Sequence, residues 1–458
     1  MDSFRGQLRA DENMTDACDT VIVGLGATGL SVARFLARQG VDFAITDSRL
    51  TPPGMPALLA EQPRARVSVG GFDPALLAKA RRVVVSPGIA RDDPRLLEYL
   101  PADAEVIGDI ELFVRQATAP VIGVTGSNGK STVTTLVGRM LAGAGRRVLV
   151  GGNLGPPALD LLDGEVPEFY ILELSSFQLE TTRSLRAAAA VVLNFSEDHL
   201  DRYPRLADYA AAKSRIYENA AAKIVNCDDP MVMRMPGSGG ATLGFSVETG
   251  KEVDFHVLSD ERGEHLAFRH RALIASSELG ILGRHNVANA LAALALGHAV
   301  GVPPESMLEA LRGFRGLPHR CETVDTIHGV AWVNDSKATN VGAVRAAILG
   351  LGAQRPIVLI AGGRSKGASF EELAGASRGA VRHAVLLGEA AGLIAKTLAG
   401  HVPVTRVASM QEAVYAAAGV ARPGDVVLLS PACASFDMFE NYAARGRAFI
   451  DAVKQLKQ

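Results

Sequence analysis

Thr125-Gly126-Ser127-Asn128-Gly129-Lys130-Ser131, followed by Thr132, is the densest chemical signal in the chain. Small residues let successive backbone N–H groups curl around phosphate oxygens. A lysine can then reach the β- and γ-phosphates, and a hydroxyl can face a divalent cation. Val124 stands where the usual pattern has its first glycine, and Gly126 lies inside the loop instead. A Gly-x-x-Gly-Lys-Ser run between a β-branched strand and a helix has little packing rationale, so phosphate binding is the better reading than a structural turn.

A second glycine run, Gly24-Leu25-Gly26-Ala27-Thr28-Gly29, follows a strand and opens a helix, with Asp47 ending the next strand. Nicotinamide cofactor, another nucleotide diphosphate and a merely structural tight turn all stay open on this motif alone. Glu173 and the run Glu197-Asp198-His199 each follow a strand. In open parallel sheets ligands bind outside the carboxyl ends of strands, so a carboxylate and an imidazole there could hold a metal beside phosphates. Taken alone, His199 reads as a capping or packing residue. Three further loops follow this pattern, residues 334–340, 362–367 and 430–436, with the polar run 316–320 just before the first of them. Each could be a simple turn with solvated charge, and Lys366 in a Gly-rich turn is the plainest case. Strand-end loops recurring in one domain favour a ligand site.

These residues need strands and helices to position them. Residues 20–23, 43–46 and 82–85 read as strands, with a helix over 30–39, a βαβ beginning. The strand 120–125 enters the Gly-Lys-Ser turn and a helix over 131–144. A third unit carries strands near 330–333, 357–361, 384–387 and 425–429, separated by helical stretches. The sequence therefore predicts an α/β fold in three domains, with boundaries at 1–108, 109–316 and 317–458 and residues 1–18 as a frayed leader. No repeat of solenoid period is visible.

Composition narrows the field further. The 458 residues allow large buried cores, and 47 basic against 49 acidic side chains leave a net charge of −2 without a basic arm, which argues against nucleic acid as a partner. Hydrophobic residues make up 48% and aromatics only 5%, with 47 glycines, a balance suited to α/β packing. No apolar stretch reaches the roughly 18 residues of a membrane span. The acidic and basic N-terminus lacks the apolar core of a secretory signal, so a cytoplasmic location is expected. Cys18, Cys227, Cys321 and Cys433 are scattered, which predicts reduced thiols rather than disulfides or a zinc site.

Taken together, the motifs GLGATGLSVARFLARQG, GVTGSNGKSTV, LELSSFQLE, NFSEDHLDRY, GRHNVANALAALAL, GLPHRCE, NDSKATNVGA, GGRSKGASF and SPACASFDMFENYAARG, in that order, closely resemble the Mur ligase family of peptidoglycan precursor synthesis. Within it they resemble the branch that adds D-glutamate to UDP-N-acetylmuramoyl-L-alanine. The resemblance covers about residues 20–450. It implies a Rossmann-like N-terminal domain for the UDP part, a P-loop ATPase-like central domain, and a Rossmann-like C-terminal domain for the amino acid.

The implied reaction is ATP-dependent amide formation through an acyl phosphate, with ATP and Mg²⁺ as cofactors and small molecules as the only substrates, in a monomer. The resemblance places Gly126, Ser127, Asn128, Gly129, Lys130, Ser131, Thr132, Asn286, Asn289, Arg320 and Asp335 on ATP. It places Thr28, Asp47, Ser48, Arg49, Ser86, Gly88, Asn153, Ser175 and His199 on the UDP substrate. His319, Lys337, Thr339, Lys366, Ser435, Phe436 and Tyr442 fall to D-glutamate. Ser131 and Glu173 are implied to bind one Mg²⁺, and His199 with a carbamylated Lys213 a second. From sequence alone Lys213 reads as a solvated helix lysine. Lys130, Glu173, His199, Lys213 and Arg320 are the implied catalytic set. Two departures stand out: the Arg364-Ser365-Lys366 loop is more basic than usual, and Tyr442 replaces the common Phe. Competing readings are a sibling ligase for another amino acid or L-glutamate, a dehydrogenase built on Gly24–Asp47, and a non-catalytic nucleotide-binding regulator.

Overall fold

The structure is a computed structural model that describes residues 18–457 apart from 204, 262, 282, 353–354 and 368. Except for Cys18, the expected leader lies outside the described residues. The chain forms two compact units. The first takes residues up to 116 together with 157–164 and 180–183, and the second takes the remainder.

In the first unit five parallel strands lie side by side in the order Arg66–Val69, Ala44–Asp47, Thr20–Val23, Arg82–Val85, Glu105–Ile107. Val21, Ile22 and Val23 are fully buried, as expected of a strand covered on both faces. The helix Ala27–Arg38 starts directly after Gly26. It can approach the first strand because Gly29 has no Cβ; one added there would stand 1.9 Å from the Gly24 carbonyl oxygen. The helix Asp109–Gln116 belongs to this unit.

The second unit contains two sheets. One has nine strands, and its strand Val121–Thr125 is flanked by Phe169–Glu173 on one side and Ala187–Val192 on the other. Chain order reverses at this strand, which opens a crevice beyond its carboxyl end. Behind it the helices Lys130–Gly143 and Arg284–Ala299 pack into one core, with Leu136, Val137, Leu291 and Leu294 fully buried. Strands Phe255–Asp260, Gly263–Phe268 and Arg271–Ala275, for which the sequence raised no expectation, extend this sheet as an antiparallel meander. Their short runs mix apolar and charged residues and give neither a long apolar stretch nor a helical period.

The other sheet has six strands in the order Glu322–Ile327, Val330–Asn334, Val426–Leu429, Ile357–Gly362, Val381–Leu387, Val404–Arg406. All pairs are parallel except the edge pair Glu322–Ile327 with Val330–Asn334. Apolar cores cover both faces. The three sheets thus give the expected α/β architecture. No helix among the described residues is long and apolar enough to cross a membrane, and the four cysteines are free.

Candidate active site

The phosphate loop is shaped by its own backbone. Gly126 and Gly129 have φ of 150° and 83°, and the helix Lys130–Gly143 begins immediately after. Lys130 folds back over the loop, donating to the Gly126 and Ser127 carbonyl oxygens at 2.8 and 3.0 Å. Burial lowers its pKa. Ser127 and Asn128 are anchored from the segment after Ala187–Val192: the Ser127 hydroxyl donates to the Ser196 carbonyl at 3.1 Å, and the Asn128 N–H donates to Asn194 Oδ1 at 2.8 Å. Strand ends rather than the loop alone therefore fix the cradle.

Beside Lys130, the Ser131 hydroxyl donates to Glu173 Oε2 at 2.6 Å, and Asn153 donates to Glu173 Oε1 at 2.7 Å. Burial would raise the pKa of Glu173, but Lys130 and these two hydrogen bonds outweigh it and hold the carboxylate ionised. Arg320, from the loop that precedes the six-stranded sheet, donates to Ser131 Oγ at 2.7 Å.

Lys213 is not a solvated helix lysine. It is buried on Leu206–Ser214, donates to the Gly126 carbonyl at 2.9 Å and lies 4.5 Å from the centre of the Tyr209 ring. Burial, aided by Lys130, puts its pKa well below the ordinary lysine value. His199 follows with a φ of 56° and a pKa lowered by burial to about 4, which keeps its imidazole neutral. Its ring meets Phe177 edge-on at 4.8 Å.

From the six-stranded sheet, Lys366 pairs with Asp198 at 2.9 Å. Lys337 sits 3.8 Å from the centre of the Tyr442 ring, with its pKa lowered to about 8 by burial and by Arg320. Asp335 is buried; burial raises its pKa to about 7, although Ser430 donates to it at 2.8 Å. His319 accepts at Nδ1 from Asn334 at 2.8 Å and faces Tyr442 edge-on. Ser435 is buried, Phe436 is 66% exposed, and the Thr339 N–H donates to the Lys337 carbonyl at 2.9 Å. A cavity of about 660 Å³ lies between the two sheets, lined by Asn128, Gly129, Thr132, Asn286, Asn289, Arg320, Asp335 and Lys337.

In the first unit, Asp47 is buried and accepts from the Leu25 N–H at 2.6 Å and from Arg49 at 2.6 Å, so it braces the glycine turn. Ser86 donates to the Gly24 carbonyl at 3.0 Å. Thr28 lies in the first turn of Ala27–Arg38, while Ser48 and Gly88 lie in loops after strands. In the second unit, the hydroxyl of Ser175 donates to Gln178 Oε1 at 3.2 Å.

Sequence profiles agree with this geometry along most of the chain. The Mur ligase MurD-like N-terminal domain matches residues 18–108, the Mur ligase middle domain 124–297, and the Mur ligase glutamate ligase domain 319–433. A UDP-N-acetylmuramoylalanine–D-glutamate ligase of Nitrosococcus oceani is 52% identical over 441 residues, covering 96% of this chain and 97% of its own. The protein of that name from Pseudomonas aeruginosa is 49% identical over 438 residues, covering 95% and 98%. The chain belongs to the Mur ligase family. Among solved structures, UDP-N-acetylmuramate-alanine ligase from Thermotoga maritima shares the fold at a TM-score of 0.60 and 18% identity, covering 96% of this chain and 99% of its own. MurF from Acinetobacter baumannii does so at 0.58 and 18%, covering 96% and 93%.

In this Mur ligase, sequence reading left several participants unassigned. Asp198, named in the run Glu197-Asp198-His199 as part of a metal-binding cluster, instead carries Lys366, 168 positions away in sequence. Tyr209 presents its ring to Lys213 four residues on, a helical spacing that could have flagged it. Buried Arg445 donates to the carbonyls of Ser336 and Cys433 at 2.9 and 3.1 Å, joining two of the strand-end loops. Nothing in its local sequence separates it from an exposed helix arginine.

Proposed function

We infer that this Mur ligase joins D-glutamate to UDP-N-acetylmuramoyl-L-alanine, the joining its half-identical relatives are named for, and that it couples this to cleavage of ATP to ADP and phosphate. The observation that carries the reading is the bond from Arg320 to Ser131, with Lys337 and Lys366 on the same side, which sets amino-acid loops against a phosphate loop.

A carboxylate is a poor electrophile. It attacks the γ-phosphoryl group to give an acyl phosphate and ADP; the glutamate amine then attacks the acyl carbon, loses a proton, and phosphate leaves. Lys130, Arg320 and the N–H groups of 126–132 neutralise charge as the anions approach. Asn286 and Asn289 line the cavity on the nucleotide side. Lys337, Thr339, Lys366, Ser435, Phe436, Tyr442 and His319 form the glutamate side, and two cations there suit a dianionic substrate.

Ser131 and Glu173 present hard oxygens 2.6 Å apart, a donor pair that fits magnesium. His199 is neutral, as a ligand must be. An ammonium would repel a cation, whereas burial lowers the Lys213 pKa and so favours the neutral amine, the form that adds CO₂ and releases a proton to become an oxygen-donor carbamate. Bound magnesium would supply further charge neutralisation. In the first unit the UDP part falls to Thr28, Asp47, Ser48, Arg49, Ser86 and Gly88. We place domain boundaries after residues 108 and 316, and the reaction in the cytoplasm, in a monomer that needs neither nucleic acid nor membrane.

The test is ADP release with each substrate omitted in turn. Full turnover requires UDP-N-acetylmuramoyl-L-alanine, D-glutamate, ATP and Mg²⁺ together. Equal turnover with L-glutamate, or none with the alanine-bearing nucleotide, overturns the reading.

A further inference from the structure

Asn340 belongs to the NDSKATN motif, yet the reaction above gives it no task. It is 5% exposed and immediately precedes the helix Val341–Gly352. Its Oδ1 accepts from the Ala343 N–H at 2.8 Å, an N-terminal cap, and from Asn128 Nδ2 at 3.3 Å. Its Nδ2 donates to Asn128 Oδ1 at 3.1 Å and to Asp198 Oδ2 at 3.0 Å. Two side-chain amides thus pair reciprocally, and every donor and acceptor of the Asn340 side chain is used. Asp198 accepts Lys366 at its other oxygen. Gly342 lets the helix start lie close to the nucleotide-side segment, since a Cβ there would stand 2.8 Å from Ser196 Oγ.

Capping alone does not explain this residue type. Asp, Ser or Thr would cap the helix equally well. Only an amide both accepts from the helix and donates twice, once to a phosphate-loop residue and once to a buried carboxylate. Thr339 immediately precedes it and Lys337 lies three residues back, so whatever fixes Asn340 also constrains them against the phosphate loop. We propose that Asn340 is a positioning residue of the ligase reaction: through Asn128 and Asp198 it sets the glutamate-side loop in register with the phosphate loop. This role rests on the ligase reading and names the contact that aligns its two halves.

The test measures kcat and KM for D-glutamate and ATP in N340D, N340A, N128A and the N128A/N340A double variant, with thermal midpoints. N340D keeps the cap but sets a second carboxylate against Asp198. It is expected to lower kcat/KM for D-glutamate by about tenfold or more while melting no earlier than N340A. In the alanine cycle, N128A is expected to cost about fivefold less in the N340A background than in the wild type, because the shared bond is already gone. Wild-type kinetics in N340D, or strictly additive alanine effects, overturn the proposal, and the alanine cycle decides by itself if N340D does not fold. Wild-type protein that releases no ADP with D-glutamate defeats the ligase reading instead, which separates the two failures.

Discussion

Lys130 and Lys213 both touch the Gly126 carbonyl, yet their surroundings give them different tasks. In the proposed reaction Lys130 stands where phosphoryl charge would develop. Lys130→Ala is expected to lower ADP formation by about a hundredfold or more, since removing a donor from a developing charge costs a few kcal/mol of barrier. Binding of the UDP substrate, followed by calorimetry, should persist, because the glycine turn lies in the first unit and the phosphate loop in the second. Lys213→Ala should be nearly inactive and regain part of its rate with a small added carboxylate; full activity without one would remove the carbamate. Lys337 supplies a pH test. Its ammonium, with a pKa lowered to about 8, is present below that pH and lost above it. kcat/KM for D-glutamate in the wild type should therefore fall on the alkaline side of about 8. Lys337→Arg, whose cation does not titrate in this range, should lack that limb. Identical pH profiles would take Lys337 out of carboxylate binding.

At the scale of elements, the turn into Lys130–Gly143 depends on what packs above it. Gly129 combines a φ of 83° with a neighbour on Arg284–Ala299: a Cβ would lie 2.3 Å from Asn289 Oδ1. Alanine must leave the left-handed region or displace Asn289, a strain of about 1–2 kcal/mol for the backbone alone. Gly129→Ala should weaken ATP binding by about tenfold or more and lower the thermal midpoint. Unchanged ATP affinity by calorimetry would show that the loop and the Asn286–Asn289 turn are not coupled. Legibility also varied by element. Buried parallel strands such as Thr20–Val23, Val121–Thr125 and Ile357–Gly362 and the Gly-Lys-Ser helix were visible as apolar runs and a motif, whereas the largely buried Ala222–Asn226 was not. The meander of 255–275 and the edge strand Glu322–Ile327 were not, because strands with a solvated face have weaker patterns and owe their existence to the sheet they join.

Across the second unit, Lys366 reaches from the six-stranded sheet to Asp198 beside the phosphate loop. As a glutamate ligand, Lys366→Ala should raise the KM for D-glutamate far more than that for ATP, and Ser435→Ala should have the smaller effect. A lost charged partner costs about 2–5 kcal/mol, against about 1 for a hydroxyl bond. Equal KM increases would assign Lys366 to bracing one sheet against the other.

The sequence by itself determined the α/β class, the Gly-Lys-Ser loop, and the carboxylate and imidazole at strand ends, because these follow from local period and from residue types read at fixed positions along the chain. It could not decide that Lys213 is buried beside Tyr209, that Asn340 pairs with Asn128, or that Asp198 carries Lys366. Those facts depend on burial and on contacts between residues as much as 212 positions apart. Only the tertiary structure brings such residues together, and with them the burial that lowers the pKa of Lys213 well below that of a solvated lysine.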